Sequence, residues 1–175
     1  MIRLALAAVL VAGPALAAGT SSDTPPSPTQ TSECPQGTVY SAERGGCVAP
    51  DQSGLSDDDL FQAVRELAYA GRYDDATLTL DAMDEGATTR VETYRGFIAR
   101  RTGDAETAMD HYERALEIDP DNLLARSYMG QGKVTEGDVA GAEFQLAEIV
   151  ARGGAGTWPE LSLRLAIQNG ETFAY

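Results

Sequence analysis

From Ser56 onward the apolar positions recur with the period of a helix. Leu60, Ala63, Val64 and Leu67 stand at i, i+3, i+4 and i+7, one face of a first helix. Ser56 followed by Asp57, Asp58 and Asp59 supplies an N-cap and a negative first turn. Gly71 ends that helix, and a second follows with Ala76, Leu80 and Met83 inward. The same order then returns twice. Val91, Tyr94 and Ile98 make one face, Gly103-Asp104 breaks the chain, and Ala108, Met109, Tyr112, Ala115 and Leu116 make the next. In the third pass Leu124, Tyr128 and Val134 precede Gly137-Asp138, and Val139, Ala142, Leu146, Ile149 and Val150 follow.

The turn glycines Gly71, Gly103 and Gly137 are 32 and 34 residues apart, and each is followed five residues later by an alanine: Ala76, Ala108, Ala142. A helix–turn–helix unit with a period near 34 resembles the tetratricopeptide repeat. The middle pass matches that family best. Gly96 is the small residue of the first helix, Gly103 the turn, Ala108 and Ala115 the close-approach positions, Tyr112 the aromatic filler and Pro120 the start of the linker. There are departures: Gly86 replaces the proline in the first pass, Gly132 interrupts the third, and Arg95 stands where leucine is commonest. The resemblance implies an all-α fold, a helix–turn–helix solenoid of three repeats over residues 56–152. A C-terminal capping helix and tail follow at 157–175.

A terminal repeat leaves an apolar face to be covered. Thr157-Trp158-Pro159-Glu160 reads as a capping box with proline near the helix start. Leu161, Leu165 and Ile167 are expected to cover the third repeat, and Asn169-Gly170 to stop the helix.

The N-terminal third follows other rules. Arg3, an apolar run from Leu4 to Val11, Gly13-Pro14 and then Ala15-Leu16-Ala17 form the pattern of a secretory signal peptide over residues 1–17. The run is too short to span a bilayer. Residues 18–33 include "GTSSDTPPSPTQTSE", without an aliphatic or aromatic side chain, and read as a disordered linker. Export places the only two cysteines, Cys34 and Cys47, in an oxidising compartment, so the simplest reading of residues 34–50 is a loop closed by one disulfide. Thr38-Val39-Tyr40 and Cys47-Val48 would pair as a hairpin beneath it. The cysteine spacing distantly resembles small secreted modules, some of which bind carbohydrate.

Composition narrows the function. The formal net charge is −14, and loss of residues 1–17 would remove one arginine and no acid. That charge repels nucleic acid and anionic lipid. No catalytic residues, no metal ligands and no cofactor are assigned. His111 is the only histidine, expected as a solvated surface residue beside Asp110 and near Arg114, and the glycines sit at helix ends rather than in a phosphate loop.

Resemblance to the family implies instead a concave groove lined by the first helix of each repeat. Its residues would be Phe61, Arg65 and Tyr69, then Thr93, Phe97, Arg100 and Arg101, then Ser127, Gln131 and Thr135. The arginines are candidates for bidentate carboxylate recognition, and the aromatics for apolar anchors. The alternative is that they answer local acids. The expectation is an exported adaptor, periplasmic or secreted, that binds a protein or peptide segment and has no transmembrane segment. Its alternative is a structural accessory subunit of an envelope or secretion assembly.

Overall fold

The computed structural model describes residues 24–25, 30–52 and 54–172; the expected signal peptide lies outside them. Strands β1 (Val39–Ser41) and β2 (Gly46–Val48) pair antiparallel, with Val39 opposite Val48, Tyr40 opposite Cys47 and Ser41 opposite Gly46. Cys34 and Cys47 are joined by a disulfide, their Cα atoms 5.7 Å apart. Seven helices follow: α1 (Asp57–Tyr69), α2 (Tyr73–Asp81), α3 (Thr89–Thr102), α4 (Ala105–Ile118), α5 (Leu123–Thr135), α6 (Val139–Ala151) and α7 (Trp158–Asn169).

The first helix of each pair ends in one device. Gly71, Gly103 and Gly137 take left-handed backbone, with φ of 76°, 93° and 81°. The amide after each glycine bonds the carbonyl five residues back: Arg72 to Leu67, Asp104 to Ala99, Asp138 to Lys133, at 2.9, 2.9 and 2.8 Å. Gly153-Gly154 repeats it at the end of α6, Gly154 bonding Ile149 at 2.9 Å. At Asp104 and Asp138 the side chain then caps the next helix, accepting from Thr107 N at 3.1 Å and Gly141 N at 2.9 Å. These repeated stops and starts set the helix–turn–helix geometry.

Within each pair the two helices make the most extensive contacts, α4 packs on α5, and α7 packs on both α5 and α6. Gly96 lets α3 and α4 approach: a Cβ there would stand 2.6 Å from Tyr112 Cε1. Ala108, Tyr112 and Ala115 of α4 are fully buried. An aromatic series links the first helices, with ring centroids 5.2 Å apart for Phe61–Tyr94 and 4.9 Å for Phe97–Tyr128. A smaller core of Val134, Ala142, Ile149, Leu163 and Ala166 holds α5, α6 and α7 together.

Four sequence expectations differ. Val139 and Val150 of α6 are exposed rather than inward, because Ala142, Gln145 and Ile149, with Leu146 partly buried beside them, form the side of α6 turned toward α5 and α7. Leu161 is likewise exposed, and the buried cap residues are Leu163 and Ala166. No capping box forms at α7: Thr157 Oγ1 donates to Gly154 O at 2.6 Å, and Glu160 is held by Arg164. The stretch read as linker ends in a 3-10 turn at Thr31–Glu33, so ordered structure begins ahead of Cys34.

The disulfide loop caps the first repeat. Arg72 Nη1 donates to the carbonyls of Thr31, Ser32 and Cys34, and Nη2 to that of Pro35, at 3.4, 3.2, 2.7 and 3.1 Å. Asp75 orients that guanidinium at 2.6 Å and accepts from Gly37 N at 2.7 Å. Val39 enters the main core with no exposed surface.

Candidate peptide-binding surface

The groove residues read from the sequence divide into two groups. Phe61, Arg65, Thr93, Phe97, Ser127 and Gln131 are buried, because the first helices stack closely enough that these side chains fill the contacts between them. Phe61 meets Tyr94 edge-on, and Phe97 lies between Tyr69 and Tyr128. Arg65 donates to Tyr94 Oη at 3.3 Å, to Gln62 Oε1 at 2.8 Å and to the carbonyl of Thr24. Thr93 Oγ1 donates to Thr89 O at 2.7 Å and accepts from Asn122 at 3.0 Å. Ser127 and Ser162 share a hydrogen bond across α5 and α7, and Gln131 donates to Ser127 at 3.4 Å. Thr135 is exposed.

Tyr69, Arg100 and Arg101 are the partly open group. The Tyr69 and Tyr128 hydroxyls share a hydrogen bond. Burial, with the neighbouring tyrosines adding to it, pushes the Tyr128 phenol well up, so that hydroxyl stays protonated. Arg100 lies over Phe97 and Tyr128, its guanidinium carbon 5.7 and 6.0 Å from the ring centroids. Its Nε and Nη2 are buried and, among the described residues, have no hydrogen-bond partner. The Tyr112 hydroxyl and Gln131 Oε1, on α4 and α5, have none either. Burial raises the Tyr112 pKa, and the neighbouring Arg100 guanidinium opposes the rise. Arg101 Nε donates to Tyr73 Oη at 3.0 Å.

Other basic residues do answer local acids. Arg72 pairs with Asp75, Arg90 with Asp58 and Glu85, Arg95 with Asp81, Arg114 with Glu92, and Arg152 with Asp121 and Glu148. Among the described residues, Arg100 and Arg101 form no ion pair. In a chain with 27 acidic residues, two adjacent arginines without a carboxylate are an anomaly. Arg101 is partly open, while Arg100 buries its Nε and Nη2 beside the aromatic rings and stays partly open elsewhere, so the pair places positive charge at the edge of the aromatic series.

Three contributors escaped the sequence reading. Tyr73 positions Arg101, and Tyr128 supports Arg100. Gly132, an irregularity in the sequence, makes room: a Cβ there would stand 2.4 Å from Met109 Cε and 3.4 Å from Arg100 Cδ. His111 also differs from expectation. It is mostly buried, with Nδ1 2.6 Å from Glu92 Oε2, an oxygen that also accepts from Arg114 Nε at 3.0 Å. Burial alone would raise the Glu92 pKa, but the hydrogen bonds from His111 and Arg114 hold it below the usual value.

Paired helices stacked in register define a helical solenoid. Residues 92–122 match the tetratricopeptide repeat model, which covers most of α3, all of α4 and the turn after it, and supports placing the chain in that family. Neither the curated proteins nor the solved structures compared with the chain include a match. Repeats of this kind point to protein–protein interaction.

Proposed function

We propose that the chain is an exported adaptor, periplasmic or secreted, that binds an acid-bearing peptide or protein segment on the inner face of α3 and catalyses nothing. The pattern of residues 1–17 and the Cys34–Cys47 disulfide support export. One observation carries the binding site: among the described residues Arg100 and Arg101 pair with no carboxylate, in a strongly acidic protein whose other arginines on α3 are paired. Tyr69 packs against Phe97, and Arg100 lies over the Phe97 and Tyr128 rings. An arginine fork set against aromatic rings loses little rotamer freedom when a carboxylate arrives.

Selection from a random peptide display library tests this. Peptides enriched on the native chain should carry Asp, Glu or a free C-terminal carboxylate, and should lose binding to the Arg100→Ala/Arg101→Ala variant. Failure to enrich any peptide, or equal capture by the variant, would reject the site.

A further inference from the structure

The outer side of α6 is unlike any other exposed helix face in the chain. Its sequence, VAGAEFQLAEIVA, is apolar almost all round, a pattern expected of a buried helix. Ala142, Gln145 and Ile149 account for the buried side. On the opposite side Val139, Ala140, Phe144, Ala147, Val150 and Ala151 are all exposed, within an arc of about 140° at 100° per residue, and Glu143 is the one exposed charge within that arc. Phe144 is 59% exposed and Val150 43%. Single exposed hydrophobes are ordinary, but a cluster of them on one helix marks an interaction surface.

The neighbouring outer helix says what would cover it. On α4, Glu106, Asp110, Glu113 and Glu117 are exposed at i, i+4, i+7 and i+11, one line along the helix. Among the described residues none of the four is in an ion pair. The ends of α4 and α6 are tied together: Arg152, just past α6, pairs with Asp121 at 3.1 Å and donates to Pro120 O at 3.0 Å, both just past α4. The apolar cluster of α6 and the unpaired carboxylates of α4 thus belong to the second helices of successive pairs, with Arg152 joining the end of α6 to the loop that follows α4.

We propose that the outer face of α6 and α4 is a second docking surface, and that it takes a basic amphipathic helix of a partner protein. The apolar side of that helix would cover Phe144, Ala147 and Val150, and its Lys or Arg residues would meet the α4 carboxylates. A second copy of this chain is a poorer fit, because it brings the same acids and a net charge of −14. The 13 residues of α6 span about 20 Å, enough for a ligand helix of about four turns.

The probe is a synthetic helical peptide of about 18 residues with Leu at i, i+3, i+4 and i+7 and Lys elsewhere. A scrambled peptide of the same composition is the control, each titrated by fluorescence anisotropy against the full chain. The amphipathic peptide should bind at least about tenfold tighter than the scrambled one. Phe144→Ser with Val150→Ser, exposed and charge-neutral changes, should remove that difference. The Arg100→Ala/Arg101→Ala variant should retain it, which separates this surface from the inner one. Equal binding of the scrambled peptide means charge alone is at work and overturns the proposal. So does an unaffected Ser variant, and so does a dimer in sedimentation that the same two substitutions dissolve, which would assign the face to a second copy.

Discussion

Gly96→Ala sets helix propensity against packing. Alanine in a helix interior gains about 1 kcal/mol over glycine. Against that, an ideal Cβ at Gly96 falls 2.6 and 2.7 Å from Tyr112 Cε1 and Cδ1 and 3.1 Å from the Ala108 carbonyl oxygen. Tyr112 has no exposed surface, so its ring has nowhere to swing, and the carbonyl belongs to α4 itself. Overpacking of this kind costs about 1–3 kcal/mol. With a backbone carbonyl and an immobile ring as the obstacles, the cost lies in the upper part of that range, about 2–3 kcal/mol. The net loss is then about 1–2 kcal/mol, a fall in Tm of roughly 2–8 °C for a chain of this size. Gly132→Ala is the internal comparison. Its nearest obstacle is Met109 Cε at 2.4 Å, the free end of a flexible side chain, so the loss should be smaller. Thermal and urea unfolding followed by far-UV circular dichroism measures both. A Gly96→Ala protein as stable as the native one, or more so, would show that α3 and α4 do not approach as described.

Arg72→Ala should lower the urea midpoint by an amount worth about 1–3 kcal/mol, because the carbonyls of Thr31, Ser32, Cys34 and Pro35 lose their common donor; an unchanged midpoint would mean the cap is held otherwise. Reduction of Cys34–Cys47, which closes a loop with a sequence separation of 13, removes up to about 3 kcal/mol of chain restraint. Amide exchange at Val39–Ser41 should then accelerate while the helical signal persists; exchange as slow as in the oxidised protein contradicts this. Glu92 titrates below its usual value of about 4.3, so its ion pairs stabilise the fold above that pH and are lost as pH falls through the lower folded-state value. The native protein should therefore exceed Glu92→Gln in stability near neutrality and approach it in acid; a constant difference across that window would place the effect elsewhere.

The repeat was legible because its signals are local. Gly71, Gly103 and Gly137 announce left-handed stops, and Ala76, Ala108 and Ala142 mark the second helix of each pair. The inner face was less legible. Phe97 and Gln131 stand at groove positions, yet whether such a position opens to solvent depends on how closely neighbouring helices stack, which periodicity does not encode. The same limit misplaced Val139 and Val150: an apolar residue on α6 reads as inward whether or not a partner helix exists to cover it. Arg72 was invisible as the anchor of the cap because its acceptors are backbone carbonyls roughly 40 residues away, and carbonyls leave no mark in a sequence.

The central claim is that Arg100 and Arg101 recognise an acid-bearing segment, and the salt dependence of binding tests it most directly. For a peptide selected on the native chain, affinity should fall as ionic strength rises, because the attraction is screened. With Arg100→Ala/Arg101→Ala, binding should be weaker and the dependence should flatten or reverse, since the remaining acidic protein repels an acidic peptide. Equal affinity and an equal salt slope for the two proteins would contradict the account.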